Sequence, residues 1–242
     1  YGVLNIWERK NILISAPTGG TKTLTAFLSI LNYLIILAEK HELEDKIYAV
    51  YISPLKALSN DIHKNLIEPL DEMYELAEKK NIKLQKIRVS LRTGDTTTAE
   101  RASMAKHIPH ILITTPESLA IVLTSKKFVE NLKAIEFCIV DEIHALDNKR
   151  GTYLSLSLER LNELSIIFPV KIGLSATISP LEEVAKFLVG MDEEREVYIA
   201  EVKMDKKLDV KVLSVATDLI EQENLSLGMY NLIDRLIKEH KT

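Results

Sequence analysis

The chain alternates short apolar runs with longer amphipathic segments. Six runs rich in Ile and Val have the length of buried strands, at residues 11–15, 47–53, 87–91, 110–114, 135–140 and 170–174. Apolar residues recur at helical spacing between them, at residues 22–40, 55–80, 98–107, 117–123, 152–167 and 181–188. This alternation predicts an α/β fold in which a mostly parallel sheet carries helices on both faces. Ligands of such folds bind at the carboxyl ends of the strands.

Composition narrows the class of protein. The chain has 242 residues, of which 46% are hydrophobic and 27% charged, as in soluble globular proteins. The apolar stretch 26–38 is interrupted by Ser29 and Asn32 and is too short to span a bilayer, so we expect a buried helix and no membrane partner. The single cysteine, Cys138, lies in an apolar run, which predicts a core residue and excludes a disulfide framework.

The cellular location follows from the same features. The first residues have no signal-peptide pattern, and we expect an intracellular, cytoplasmic protein. Abundant Ile, Lys and Glu with few Gln are compatible with a thermophilic prokaryotic source.

The segment between the first predicted strand and the first long helix has the features of a phosphate-binding loop. A short strand, a glycine-containing loop and Lys-Thr at the start of a helix surround an anion with backbone N–H groups. Lys22 would meet the β- and γ-phosphates, and the Thr23 hydroxyl would bind Mg²⁺. An ordinary strand-to-helix turn without a ligand is the alternative. The predicted phosphate-binding residues are Ala16, Pro17, Thr18, Gly19, Gly20, Thr21, Lys22 and Thr23.

Two acids follow the predicted strand at 135–140. Asp141 is placed to hold Mg²⁺ through its water shell, and Glu142 to orient and deprotonate an attacking water. The alternative is a helix N-terminus, where acids are favoured by the dipole alone. His144 is either part of this site or a structural histidine.

The remaining polar clusters also follow predicted strands. Ser175 and Thr177 could bond to the acid pair, or could cap the helix that follows. The loops 53–58, 92–95 and 114–119 offer hydroxyls, a glycine or a helix N-terminus to a phosphodiester backbone, with helix capping as the alternative for each. Such contacts need little side-chain charge, which reconciles nucleic-acid binding with a formal net charge of −4.

Taken in order, these clusters resemble motifs I, Ia, Ib, II and III of the superfamily 2 helicases. The segments 149–151, 156–161 and 172–178 are most similar to the large helicase-related (Lhr) proteins. The motifs are Ala-Pro-Thr-Gly at 16–19 with Lys-Thr at 22–23, Pro-Leu-Lys-Ala-Leu at 54–58, Arg-Thr-Gly-Asp at 92–95, Thr-Pro-Glu-Ser-Leu at 115–119, Asp-Glu-Ile-His at 141–144 and Ser-Ala-Thr at 175–177.

The resemblance implies a RecA-like P-loop domain in a nucleic-acid-dependent ATPase. Such an enzyme uses ATP and Mg²⁺ to translocate on a single strand, mainly DNA, and displaces the partner strand. Lys22, Asp141 and Glu142 would be catalytic, with Thr23 and Asp141 at the metal. His144, Ser175 and Thr177 would couple the nucleotide to the strand. The residues implied to contact nucleic acid are Pro54, Lys56, Arg92, Thr93, Gly94, Thr115 and Pro116.

The resemblance also implies a domain organisation. Residues 1–200 would form the ATP-binding domain, with its N-terminal part truncated. Residues 201–242, with a predicted strand at 207–215 and an amphipathic helix at 227–240, would lead to a second RecA-like domain of the same protein that supplies an arginine finger.

One residue departs from the pattern. Thr21 stands where a Walker-type loop has glycine immediately before the lysine, so a β-branched residue occupies a position of close backbone approach to phosphate. The alternative function is therefore an ATP-binding switch or scaffold module that does not hydrolyse ATP. Glu142 argues against it, because such a module gains nothing from a carboxylate beside the metal.

Overall fold

The computed structural model describes residues 2–17, 22–54, 62–125, 128–145, 149–190, 192, 194–202, 212–213 and 225–239. Contacts between residues divide the chain into two units, Tyr1–Met204 and Asp205–Thr242, and we describe each by itself.

The first unit alternates strands and helices, as the hydrophobic pattern predicts. Its described strands are β1 (Asn11–Ser15), β2 (Ala49–Ile52), β3 (Val89–Arg92), β4 (Ile111–Thr114), β5 (Phe137–Val140), β6 (Val170–Ser175) and β7 (Val197–Glu201). Its described helices are α1 (Gly2–Trp7), α2 (Lys22–Glu39), α3 (Glu68–Lys79), α4 (Thr98–Lys106), α5 (Pro116–Thr124), α6 (Lys149–Leu164) and α7 (Leu181–Val189). A π-helical turn, His63–Ile67, precedes α3, and 3₁₀ turns form at Val129–Leu132 and Ile143–Ala145.

The seven described strands form one sheet in the order β3-β4-β2-β5-β6-β1-β7. Every pairing between them is parallel. The predicted α/β fold with a parallel sheet is therefore confirmed. The edge strand β7, which pairs with β1 from Asn11↔Val197 to Ser15↔Glu201, was absent from the prediction.

The core has two layers because neighbouring strand residues point to opposite faces of the sheet. In β1, Ile12 and Ile14 belong to the apolar cluster that α1, α2 and α3 cover. Leu13, between them, belongs to the cluster on the other face, which is covered by α5, α6 and α7. Cys138 is fully buried in this second cluster, as predicted.

By length and composition, α2 is apolar enough to cross a membrane. In the structure its residues Phe27, Ile30, Leu31 and Leu34 are fully buried against the sheet. The predicted buried helix at 26–38 is thus part of a longer core helix that begins at Lys22.

Local polar contacts explain several helix ends. Thr97 caps α4 through a capping box, accepting from the Glu100 N–H while the Glu100 carboxylate accepts from the Thr97 N–H. Thr115 caps α5, and Pro116 occupies its first turn.

Helix α6 begins at Lys149, three residues before the predicted start. The predicted helix at 55–80 starts in residues 55–61, which lie outside the described residues.

The second unit contains α8 (Leu225–Glu239), close to the helix predicted at 227–240. It is amphipathic, and Lys238 pairs with Asp234 at 2.7 Å on its polar side. The strand predicted at 207–215 falls mostly outside the described residues, and Val212 and Leu213 are not in regular structure.

Because His110 is buried, we expect the fold to lose stability at acidic pH. His110 precedes β4, accepts a hydrogen bond from the Arg88 N–H at Nδ1 (3.1 Å) and lies edge-on to Tyr48. Burial and the nearby Arg88 charge lower the pKa of His110 to about 4. Between pH 6.5 and 4 the unfolded chain therefore binds more protons, so the contribution of His110, up to about 3 kcal/mol, is present above pH 6.5 and lost on acidification.

We expect His110→Asn, which keeps an acceptor for Arg88, to flatten the dependence of unfolding free energy on pH between 6.5 and 4. Urea unfolding of both proteins across this pH range measures the difference between their unfolding free energies. The contribution of the carboxylates is common to both proteins and cancels in that difference. Parallel curves for parent and variant would contradict the assignment.

Candidate active site

The predicted polar clusters meet at one edge of the sheet. Strands β2, β5, β6 and β1 are consecutive neighbours and run in the same direction. Their carboxyl ends lead to Ser53, Asp141, Ala176 and Ala16 respectively. The parallel topology therefore brings segments far apart in sequence to one place, the carboxyl-end crevice at which α/β folds bind ligands.

Lys22 is buried at the start of α2, although it is charged. Its ammonium donates to the carbonyl oxygens of Ala16 (2.6 Å) and Pro17 (3.1 Å), which follow β1. Burial lowers the pKa of Lys22, while the carboxylates of Glu142 and Asp141 act in the opposite direction. The lysine ammonium is thus held at the end of β1, close enough to the acid pair for both carboxylates to act on its pKa. Thr18, Gly19, Gly20 and Thr21 lie outside the described residues.

Asp141 is 7% exposed, and its carboxylate contacts the next residue in the chain and two other elements, β2 and α2. Oδ1 accepts from the N–H of Glu142 (2.8 Å), and Oδ2 accepts from the hydroxyl of Tyr51 on β2. The Thr23 hydroxyl lies 3.5 Å from the same Oδ2. Burial raises the pKa of Asp141, and the bonds from Tyr51 and Glu142 oppose that effect. The predicted metal residues, Thr23 and Asp141, are therefore adjacent.

Glu142 has a left-handed backbone, with φ of +52°. The other described non-glycine residues with positive φ, Arg9, His41 and Asn81, each follow the end of a helix, where this conformation is common. Glu142 instead follows a strand. A non-glycine residue in this region costs on the order of 1–3 kcal/mol, and such strain clusters at functional sites.

His144 connects Glu142 to the end of β6. Its Nδ1 accepts from the Ala176 N–H (3.1 Å), so Nδ1 carries no proton. Nε2 therefore bears the proton and lies 3.0 Å from Oε2 of Glu142, to which it donates. The single ring thus joins the Asp-Glu-Ile-His and Ser-Ala-Thr segments.

Ser175 and Thr177 occupy different surroundings. The Ser175 carbonyl accepts from the Ala16 N–H (3.2 Å), while the Ser175 hydroxyl is buried and has no hydrogen-bond partner among the described residues. The hydroxyl of Ser15, at the end of the neighbouring strand β1, donates to the Ala176 carbonyl at 3.3 Å. Thr177 lines a shallow cavity with Glu182 and Glu201. The structure therefore places neither hydroxyl in contact with the acid pair.

Arg92 is the last residue of β3, and Thr93 and Gly94 begin the turn that follows it. The Arg92 guanidinium lies over the ring of Phe128 at 4.4 Å, and burial lowers its pKa. The Thr93 N–H donates to the hydroxyl of Thr96 (2.8 Å), which fixes the turn. A Cβ added at Gly94 would meet no atom within 4 Å, so local packing does not require glycine there.

Of the other predicted nucleic-acid residues, Thr115 and Pro116 lie at the start of α5, and Pro54 follows the end of β2. The Thr115 hydroxyl oxygen accepts from the Ser118 N–H (3.3 Å), as expected of a helix cap. Arg150, at the start of α6, joins two of these segments, because Nη2 donates to the Pro54 carbonyl (3.4 Å) and Nε pairs with Glu117 (2.6 Å). The sequence predicted no role for Arg150, although this residue lies in the segment 149–151 that resembles Lhr proteins. Lys56 lies outside the described residues.

The residues present fit a magnesium ion bound together with a nucleotide. Mg²⁺ prefers oxygen ligands and is usually held by one or two protein oxygens plus substrate phosphates and water. Thr23 and Asp141 offer such oxygens, with Lys22 nearby to neutralise phosphate. Among the described residues, no group of three or more His, Cys, Asp or Glu could hold a metal without a nucleotide.

Comparison of the chain with known proteins identifies a family to which it is similar. The model of the DEAD/DEAH box helicase family matches residues 3–186. The ATP-dependent helicase Lhr-Core of Methanocaldococcus jannaschii is 54% identical over 244 residues, covering 100% of this chain and 28% of that protein. The Lhr helicase/uracil glycosylase of Escherichia coli is 42% identical over 187 residues, covering 75% of this chain and 12% of that protein.

Solved structures of helicases are also similar to this chain. The Mycobacterium smegmatis helicase Lhr bound to ssDNA and AMP-PNP is similar, with a TM-score of 0.81 and 37% identity over 99% of this chain and 30% of that one. The DEAD-box helicase Mss116, at 21% identity and a TM-score of 0.66 over 83% of this chain and 38% of that one, shares the fold. The predicted RecA-like fold and the resemblance to Lhr proteins are confirmed.

The chain spans about 28% of the length of the Lhr-Core relative. Because the family model covers most of its residues and matches the segment that contains the acid pair, this chain belongs to the DEAD/DEAH box helicase family.

Proposed function

We propose that this chain is the ATP-binding motor domain of a helicase that couples ATP hydrolysis to translocation on single-stranded nucleic acid and to strand displacement. One observation carries the proposal. Lys22 and Thr23 at the start of α2 lie beside Asp141 and Glu142 at the end of β5, although about 120 residues separate the two pairs in sequence. These residues offer a lysine for the phosphates, oxygens for a metal and a base for the attacking water, which are the groups that one motor domain would supply for phosphoryl transfer.

Each side chain has a distinct role. The Lys22 ammonium binds the β- and γ-phosphates and neutralises charge as the terminal phosphoryl group leaves. Thr23 and Asp141 would hold Mg²⁺, which would supply further neutralisation of the phosphate charge. Glu142 accepts a hydrogen bond from the attacking water and takes its proton, while the His144 Nε2–H holds the carboxylate in place.

The nucleic-acid surface is proposed at the carboxyl ends of β2, β3 and β4, with Pro54, Arg92, Thr93, Gly94, Thr115 and Pro116. Lys56, which lies outside the described residues, is proposed to belong to the same surface. Backbone groups and the α5 N-terminus would bind phosphates there with little side-chain charge, which is compatible with the net charge of −4. Single-stranded DNA is the favoured partner, because the solved Lhr relative is described with ssDNA. We place the protein in the cytoplasm, with a second RecA-like domain of the longer protein completing the catalytic site and Ser175 and Thr177 relaying between the domains.

Two variants of the full-length protein should separate nucleotide binding from hydrolysis. Lys22→Ala removes the charge that faces the phosphates and should weaken Mg-ATP binding on the order of 100-fold. Glu142→Gln keeps shape and hydrogen bonding but removes the base, so binding should persist while turnover falls by about 100-fold or more. Titration calorimetry and phosphate release measure the two effects. Unchanged turnover in Glu142→Gln would favour an ATP-binding module without this catalytic base.

Substitutions at His144 should separate catalysis from coupling. His144→Gln keeps a donor for Glu142 but loses the acceptor for Ala176, whereas His144→Asn keeps the acceptor and loses the donor. We expect His144→Gln to retain basal ATP hydrolysis and lose stimulation by single-stranded DNA, and His144→Asn to lose about tenfold in both. Identical behaviour of the two variants would show that the ring does not link the segments.

Gly94→Ala tests the nucleic-acid surface. The space around Gly94 accepts a methyl group, so the melting temperature should not change. If a strand phosphate approaches the backbone there, single-stranded DNA affinity should fall by about three- to tenfold, because the methyl group blocks that approach. Fluorescence anisotropy with labelled DNA measures the affinity. Equal affinity at equal stability would remove Gly94 from the proposed surface.

A further inference from the structure

Tyr51 is a buried polar residue at the proposed metal site that the sequence motifs do not include. It lies on β2 in the fully buried core, with 1% of its surface exposed. Its hydroxyl donates to Oδ2 of Asp141, which lies 90 residues further along the chain. A buried hydroxyl bonded to a carboxylate is a strong and directional contact, because one partner is ionised.

The ring of Tyr51 has little freedom. It packs against Phe27 of α2, with ring centroids 4.9 Å apart. Lys22 and Thr23 begin the same helix. On the other side, the N–H of Asp141 donates to the carbonyl of Ile52 (2.8 Å), which fixes the backbone of Asp141 relative to β2. The Tyr51 hydroxyl is thus held at a set position between the phosphate-binding helix and the acid pair.

The carboxylate of Asp141 has a limited number of acceptor positions. The Glu142 N–H occupies one on Oδ1, and Tyr51 occupies one on Oδ2. These two bonds fix the plane of the carboxylate and leave Oδ2 also facing Thr23 at 3.5 Å. The two bonds therefore set the orientation of the carboxylate toward a metal complex with water ligands.

We infer that Tyr51 is a positioning residue that orients Asp141 for the Mg²⁺–nucleotide complex and so determines how strongly Mg²⁺ increases nucleotide affinity. Tyr51 is not itself a metal ligand. This inference rests on the proposed role of Asp141 at the metal.

Tyr51→Phe in the full-length protein removes the hydroxyl and keeps the ring against Phe27. Tyr48→Phe is the matched control, because Tyr48 is equally buried on the same stretch and its hydroxyl accepts from the Glu44 N–H (3.0 Å) away from the site. The affinity for a fluorescent ATP analogue is measured in excess Mg²⁺ and in EDTA. Tyr51→Phe should weaken binding about five- to tenfold in Mg²⁺ and leave the metal-free affinity unchanged. Tyr48→Phe should change neither.

A double-mutant cycle with Asp141→Asn separates the two proposals. If Asp141→Asn alone does not reduce the effect of Mg²⁺, the proposed metal role of Asp141 is wrong, and the inference about Tyr51 falls with it. If Asp141→Asn reduces the effect but Tyr51→Phe does not, or weakens binding equally with and without Mg²⁺, only the inference is overturned. Loss of the Tyr51→Phe effect in the Asp141→Asn background would support it, because the hydroxyl would then act through Asp141.

Discussion

The parallel pairing of β2, β5, β6 and β1 is the constraint on which the rest of the site depends. The side chains of Lys22 and Asp141 and the backbone of Ala176 are brought together because four adjacent strands end at the same edge. The register is specified by the two-layer core, since a shift of one residue would turn Ile12 and Ile14 to the face occupied by Leu13. Packing of the core thus sets the geometry of the polar groups above it.

Hydrogen bonds then connect these strand ends in a chain. Glu142 accepts from His144, His144 accepts from the Ala176 N–H, and the Ala176 carbonyl accepts from Ser15. The next residue, Ala16, accepts from Lys22 through its carbonyl. Acid, histidine, Ser-Ala-Thr segment and lysine are therefore joined largely through backbone groups, whose positions the sheet fixes. A shift of β6 relative to β5 would therefore change the surroundings of Glu142 through His144.

The sequence was sufficient for the fold and for the position of the candidate site, because strand period and ordered motifs are local signals. Tyr51 lies within a predicted strand. The contact of its hydroxyl with Asp141 could not be predicted, because it depends on the pairing of β2 with β5. The role of Arg150 likewise depends on where α6 begins relative to Pro54 and Glu117. For β7, the half-exposed residues Tyr198 and Ile199 gave no clear alternation, as is usual at a sheet edge.

The position of β7 bears on how this domain can be shortened for study. It covers β1, the strand that leads into the phosphate-binding segment, and the Val202 N–H also donates to the Ser15 carbonyl at 2.8 Å. The family match stops at residue 186, before β7 begins. An expression fragment cut at that point would leave β1 with a bare row of N–H and C=O groups, an edge that invites pairing with another chain. Soluble expression of this domain therefore requires the residues that follow the helicase motifs, through at least Val202.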